Sequence, residues 1–168
     1  MSTKALYCNN TEEVPAGVAS QFLRRNAANN GWEFVAGELL QTAFAEQATN
    51  TTQTSATFGD LGTVTLTLTT TAGSALLITF TASASNTNNN HNIDFQLVID
   101  GTAVRGAGMR VPVAGQSDSS AITYKKTGLS AGSHTIKAQW RTDGNTAQIR
   151  PTTVLNEHAS LLIQEVTV

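Results

Sequence analysis

Hydrophobic and polar residues alternate along most of the chain after about residue 38, with the period of two that marks half-buried β-strands. In TVTLTLT, Val64, Leu66 and Leu68 share one side of the strand and threonines occupy the other. The segments ALLITFTAS, IDFQLVID and SSAITYKK repeat this pattern, with these residues facing inward: Leu76, Ile78, Phe80, Ala82, Phe95, Leu97, Ile99, Ile122 and Tyr124. No helical period interrupts the series, which ends in a closing strand, ASLLIQEVTV.

Turn-forming residues separate these segments at the spacing expected of short antiparallel strands. Asp100-Gly101 predicts a tight two-residue hairpin into TAVRGAGMRVPV. Other turns are predicted at Gly73, 86–92, 115–120, Gly128 and Asp143-Gly144. The count is eight to ten strands; eight in two sheets form a jelly roll, whereas seven resemble an immunoglobulin-like sandwich. We therefore expect an all-β, antiparallel β-sandwich of jelly-roll type over residues 38–168.

Residues 1–37 differ from the rest and are predicted to form an N-terminal arm. The segment TEEVPAGVASQFLRRN has acidic residues followed by proline at its start, which favours one short helix. The arm concentrates four large apolar residues that suit docking on another protein, although packing on its own domain is an equal alternative. These candidate anchoring residues are Phe22, Leu23, Trp32 and Phe34.

The stretch GLSAGSHTIKAQWRTDGNTAQIRP, residues 128–151, looks the most like a site. Alternation places Trp140 inward, as a large core residue. His134 lies where the chain leaves a corner, and we expect it to bond back to the backbone there, as a tyrosine does in many immunoglobulin-like sandwiches. Lys137, Gln139 and Arg141 share an exposed face that suits a carboxylate or a sugar, although a solvated face or a subunit contact is the favoured interpretation.

Charge and composition exclude several classes of function. The formal net charge is −2 and the pI about 5.9, which argues against an electrostatic grip on nucleic acid. No apolar run is long enough to span a membrane, and MSTKALYCNN lacks the apolar core of a signal peptide, so neither feature is expected. Cys8 is the only cysteine, so no disulfide forms within the chain, and a free, non-catalytic thiol is expected.

Candidate chemistry is sparse. His91, His134 and His158 lack metal-ligand spacing, and NTNNNHN offers amide oxygens without the carboxylates of a calcium loop. Neither a nucleophile motif nor a phosphate-binding loop is present. The glycines of RGAGMR, residues 105–110, fall inside a β pattern and predict a bulge or a close backbone approach. We therefore expect no enzyme activity, no cofactor and no metal.

The run GLSAGSHTIKAQWRT, then TAQIRP and ASLLIQEV, resembles the C-terminal part of β-sandwich proteins of bacteriophage particles, whose trimeric heads are similar to the tumour-necrosis-factor and C1q jelly rolls. The resemblance covers residues 40–168 as an architecture. It implies a structural virion protein: a capsid decoration, head-fibre or tail-associated subunit. The collagen repeat of C1q is absent from this sequence.

The resemblance further implies a homotrimer that is assembled in the host cytoplasm and attached to a major capsid or tail protein through the N-terminal arm. No catalytic residues are implied. The alternative function is a carbohydrate-binding module or the receptor-binding head of a fibre, with a host-surface glycan as partner. A β-sandwich hydrolase or a cupin is disfavoured because the histidines do not cluster.

Overall fold

Twelve strands make up the regular structure of the computed structural model, which describes residues 21–25, 32–36, 39–151 and 157–167. Within these residues there is no helix, and so none that is long and apolar enough to cross a membrane. The strands are β1 (Gln21–Arg25), β2 (Trp32–Ala36), β3 (Leu39–Glu46), β4 (Thr51–Gln53), β5 (Gly59–Thr70), β6 (Ser74–Asn86), β7 (His91–Ile99), β8 (Thr102–Val111), β9 (Ser117–Lys126), β10 (Gly132–Thr142), β11 (Ala147–Ile149) and β12 (Ala159–Thr167).

The strands after β2 form two antiparallel sheets, the first of six strands and the second of four. In the first sheet β3 pairs with β12, β12 with β6, and β6 with β9. The second sheet has the order β5-β10-β7-β8. The short strands β4 and β11 pair with each other, and β11 continues along β6 beyond the end of β12. The strand orders β3-β12-β6-β9 and β5-β10-β7-β8 are those of the two sheets of a jelly roll, which confirms the predicted fold.

The core lies between the two sheets and is built by the inward residues of each alternating segment. Phe80 of the first sheet lies 5.4 Å, centroid to centroid, from Phe95 of the second. Phe95 in turn stacks on Trp140 at 6.3 Å, and all three side chains are buried. Leu66 and Tyr124 are half-buried against this core, and the other residues that alternation placed inward are buried. The inward position predicted for Trp140 is therefore confirmed.

The β7–β8 turn has the predicted two-residue form. Asp100 and Gly101 have φ angles of 48° and 80°, the left-handed conformations that such a hairpin requires. A bulge follows in β8, since Leu97 lies opposite Arg105 whereas Val98 lies opposite Ala103. The irregularity predicted for RGAGMR, residues 105–110, is therefore a bulge that begins one residue before this segment.

Two expectations need correction. The end of the predicted helix is a strand, because Gln21–Arg25 pairs antiparallel with Trp32–Ala36; residues 11–20 lie outside the described residues. Asn86 does not belong to a polar loop but is buried at the end of β6. Its amide donates to Thr142 Oγ1 and to the Gly144 carbonyl at 3.1 Å each, which fastens β6 to the β10–β11 turn.

Candidate functional site

The outward side of the first sheet carries a group of large apolar side chains. Phe44 of β3 lies opposite Leu162 of β12, which lies opposite Thr79 of β6. Leu77 is two residues from Thr79 and therefore diagonal to Leu162, within reach of a long side chain. Phe44 is 57% exposed, Leu77 is 37% exposed, and Leu162 is half-buried. We call Phe44, Leu77 and Leu162 the apolar face.

The apolar face reaches the edge of the sheet. Among the described residues β3 pairs with β12 alone, so its other side presents a row of backbone groups. Leu39 and Leu40, at the start of the same strand, are 53% and 41% exposed. Polar side chains from the next rows of the sheet surround the apolar residues: Thr42, Glu46, Lys125 and Gln164.

The outward side of the second sheet is polar instead. Lys137, Gln139 and Arg141 of β10 point outward, as alternation predicts, and each contacts a neighbouring strand. Lys137 Nζ lies 2.8 Å from the Asp60 carboxylate, and Gln139 Nε2 donates to Asp60 Oδ1 at 2.7 Å. These hydrogen bonds, the Lys137 bond first, lower the pKa of Asp60.

Next to this network, Arg141 Nε donates to Asp94 Oδ2 at 2.9 Å, and its guanidinium carbon lies 4.7 Å from the centroid of the Phe58 ring. A shallow cleft of about 300 Å³ opens here, lined by Phe58, Asp94, Phe95, Gly106, Ala107, Gly108 and Arg141. Gly106 and Gly108 of the edge strand β8 lie opposite Gln96 and Asp94. We call this depression the polar cleft.

His134 is the third residue of β10, at the corner where that strand begins, and is buried. Its Nδ1 lies 2.6 Å from Asp100 Oδ2, and its Nε2 lies 3.0 Å from the Ser130 carbonyl. The predicted bond from His134 back to the backbone is therefore confirmed. The Asp100 bond, and next the Ser130 bond, raise the pKa of His134, while the bond from His134 lowers the pKa of Asp100. Both imidazole nitrogens face acceptors, which favours a structural imidazolium.

His91 belongs to a second, separate cluster at the β6–β7 and β10–β11 turns. Its Nδ1 lies 2.9 Å from Asp143 Oδ1, and Asn145 Nδ2 lies 2.7 Å from its Nε2. Asn92 also donates to both Asp143 oxygens. Partial burial alone would raise the pKa of Asp143, but the hydrogen bonds from His91 and Asn92 lower it. Within the described residues, no group of three or more His, Cys, Asp or Glu side chains is arranged to hold a metal.

Two buried carboxylates serve the fold. Glu157 accepts from Arg150 Nε at 3.0 Å and from Ser117 Oγ at 2.6 Å. Glu165 accepts from the Thr71 amide and Ser74 Oγ, which fastens β12 to the β5–β6 turn. Burial would raise the pKa of each carboxyl, but these hydrogen bonds hold it below its ordinary value. Every buried polar side-chain atom of the described residues has a hydrogen-bond partner.

The predicted anchoring residues fall on the β1–β2 hairpin, whose backbone alone is described. Leu23 lies opposite Phe34, Phe22 lies opposite Val35, and Trp32 lies opposite Arg25. The register therefore brings the four positions Phe22, Leu23, Trp32 and Phe34 onto one hairpin. Cys8 lies outside the described residues.

The sequence predicts which residues of β10 face the polar cleft, but it does not predict which residues of the neighbouring strands lie beside them. Alternation gives the outward direction of Arg141, but the pairing of β10 with β7 that brings Asp94 beside it is a matter of topology. The sequence does contain a signal that indicates the apolar face. In the adjacent pairs Leu76-Leu77 and Leu161-Leu162, one member of each must point outward, because side chains alternate along a strand.

Comparison with known proteins gives neither a family nor a curated relative: no protein-family model and no curated protein matches the chain. Solved structures do match, and proteins of virus particles are among them. VP2 of infectious bursal disease virus, in its subviral particle, is 10% identical, with a TM-score of 0.46, over 92% of this chain and 41% of VP2. The T13 particle of that virus gives 9% identity and a TM-score of 0.39, over 92% of this chain and 40% of that one.

A bacterial protein also matches. Dimeric latent PorU from Porphyromonas gingivalis is 10% identical, with a TM-score of 0.40, over 89% of this chain and 18% of PorU. The chain thus spans less than half the length of the matched chain in each of these three solved structures.

Proposed function

We propose that this protein is a structural subunit of a bacteriophage particle, which decorates the capsid or is attached to the capsid or tail. In this proposal the sandwich forms the exposed, homotrimeric head and residues 1–37 form the anchor. The protein acts by binding rather than by catalysis. It reaches the virion during assembly in the host cytoplasm.

The apolar face is the observation that carries the proposal. Phe44, Leu77 and Leu162 span three adjacent strands of one rigid sheet, and clustered apolar side chains of this size on a soluble domain mark an interaction surface. An aromatic and aliphatic centre with a polar rim is the usual anatomy of a protein–protein interface. A second and third copy of the chain would remove these side chains from water.

The sandwich supports a structural role because it is a rigid frame. The buried polar side-chain atoms of the described residues are all hydrogen-bonded, and the tilted contact between Phe80 and Phe95 joins the two sheets. Jelly rolls are used repeatedly as shell-forming and lectin domains. That association concerns the architecture, whereas the role of this chain has to be argued from its surfaces.

The arm supplies the proposed anchor. The hairpin register places Phe22, Leu23, Trp32 and Phe34 within two paired five-residue strands, and in this proposal that hairpin binds a major capsid or tail protein. Residues of this type dominate the energy of protein–protein contacts when a partner buries them.

Mass spectrometry of density-purified phage particles from the host tests the virion assignment, and the protein should co-purify with the particles in a fixed stoichiometry. A full-length variant with Trp32→Ala and Phe34→Ala should no longer bind particles that lack the protein, while Val113→Ala, an exposed change in the β8–β9 turn, should bind like wild type. Absence of the protein from purified particles would refute the virion assignment. Normal binding by the arm variant would refute the anchoring role.

A further inference from the structure

The polar cleft has the features of a small ligand site on the outer side of the second sheet, away from the apolar face. Its polar side chains, Asp94 and Arg141, come from the adjacent strands β7 and β10, so their positions are fixed by the sheet rather than by a loop. Side chains held on a rigid sheet are pre-organised for binding. The polar groups of the cleft are therefore held in more fixed positions than those of an ordinary solvated strand surface.

The hydrogen-bond network fixes the direction of each amide. Because Asp60 can only accept, Gln139 turns its Nε2 toward Asp60 and its Oε1 toward Gln96. Gln96 then donates from Nε2 to Gln139 Oε1 at 2.7 Å. This leaves Gln96 Oε1, beside Gly106, as an acceptor without a partner among the described residues.

The neighbouring ion pair of Arg141 and Asp94 also has hydrogen-bonding groups that the pair itself does not use. Arg141 Nε and Nη2 both lie 2.9 Å from the same oxygen, Asp94 Oδ2. Within the described part of the chain, Asp94 Oδ1 and Arg141 Nη1 therefore have no hydrogen-bond partner. The charge-neutral pair thus offers one acceptor, on the side of β8, and one donor, with 34% of the Asp94 side chain and 43% of the Arg141 side chain exposed.

Glycines make the space above these groups. A Cβ at Gly108 would come within 2.6 Å of Asp94 Oδ1, so any larger residue there would displace that carboxylate. Gly106 and Gly108 are both exposed, and neither has a positive φ that would require glycine for conformational reasons. The absence of a side chain at Gly108 therefore lets Asp94 Oδ1 lie against the β8 strand.

We propose that the polar cleft binds a neutral saccharide. One sugar hydroxyl would donate to Asp94 Oδ1 and another would accept from Arg141, while Gln96 Oε1 accepts from a third. The half-buried Phe58 ring gives the C–H side of the sugar an apolar surface. The local charges cancel, because Asp60 and Asp94 are balanced by Lys137 and Arg141, and this favours a neutral sugar over an anion.

Saturation-transfer difference NMR on the full-length protein tests the site with four probes: methyl α-mannoside, methyl β-galactoside, N-acetylglucosamine and 3′-sialyllactose. At least one neutral probe should receive saturation at concentrations up to about 20 mM, the range that a weak single-sugar site requires. Binding of 3′-sialyllactose alone would overturn the neutral class. A lack of signal from all four probes would overturn the site.

Two variants locate the binding. Asp94→Asn replaces the accepting carboxylate with an amide of the same shape, and Gly108→Ala fills the space without changing a charge. Each should weaken the affinity at least tenfold. Asp118→Asn, which removes an exposed carboxylate from β9 of the other sheet, should leave the affinity within twofold.

Equal weakening by all three variants, or by none, would place the sugar elsewhere and overturn the assignment. The polar cleft and the apolar face lie on different sheets, so a variant can lose sugar binding without losing its oligomeric state. Light scattering of each variant therefore distinguishes a failure of the sugar site from a failure of the proposed virion role. The variants should keep the wild-type mass.

Discussion

The imidazole of His134 on β10 and the carboxylate of Asp100 in the β7–β8 turn are joined by a 2.6 Å hydrogen bond, which ties the two ends of adjacent strands together. Asp100 also accepts from the Thr135 amide at 2.9 Å, so its side chain holds both the ring and the backbone of β10. The geometry makes this pair a structural clamp rather than a catalytic dyad. It also gives the fold a defined pH dependence.

Asp100→Asn should lower the free energy of unfolding most between about pH 4 and 6.5. The pKa of His134 is raised, so its contribution is complete below the ordinary value of 6.5 and is lost as pH rises through the folded pKa. The pKa of Asp100 is lowered, so its contribution exists above 3.8 and is lost as pH falls through the folded pKa. Because Asp100 is half-exposed, we expect a loss of only about 1 kcal/mol.

Urea unfolding at pH 5.5 and 8.5, at one protein concentration, measures this difference. The gap between wild type and Asp100→Asn should shrink at the higher pH. Asp118→Asn serves as the control and should show no such change. A gap of equal size at both pH values would contradict the charged clamp.

Truncating a core side chain should lower the free energy of unfolding much more than truncating an exposed one. Trp140→Ala removes the largest buried side chain and its stacking on Phe95, so we expect a loss of about 3–5 kcal/mol in the free energy of unfolding. Val113→Ala, at a position 56% exposed, should change it by less than about 0.5 kcal/mol. Denaturant unfolding measures both, and similar losses for the two variants would contradict the placement of Trp140.

Arg150 and Glu157 should show strong coupling. Arg150→Gln leaves the fully buried Glu157 carboxylate without its cation, and we expect a loss of about 3 kcal/mol at pH 7. Adding Glu157→Gln removes the stranded charge and should restore much of that loss. A double-mutant cycle on the free energy of unfolding gives the coupling. Simple additivity of the two changes would argue that the pair is not charged and buried together.

The β7–β8 hairpin makes a conformational prediction at Gly101. With a φ of 80° and no heavy atom within 4 Å of an added Cβ, a substitution there is strained by the backbone and not by crowding. Gly101→Ala should therefore cost about 1 kcal/mol, whereas Gly101→Asn, which tolerates this region, should cost less. Thermal unfolding of both variants compares them. An alanine variant as stable as wild type would contradict the left-handed turn.

The sequence predicted the sandwich well because alternation and turn residues are local signals. Phe80, Phe95 and Trp140 were assigned inward from period alone, and Asp100-Gly101 from its turn chemistry. The strand pairing could not be predicted, because nothing near Arg141 in the sequence indicates that Asp94 lies beside it. The helix prediction was wrong for residues 21–25 because acidic residues and a proline favour a helix start, while pairing with Trp32–Ala36 decides the outcome.

The absolute mass of the full-length protein in solution, by light scattering after size exclusion, tests the proposed head most directly. The proposal predicts three times 17.7 kDa for wild type and a single chain for Phe44→Glu, because a charge on the apolar face cannot be buried in the interface. Val113→Glu, equally exposed but outside that face, should remain a trimer. A wild-type mass of one chain, 17.7 kDa, would contradict the trimeric head.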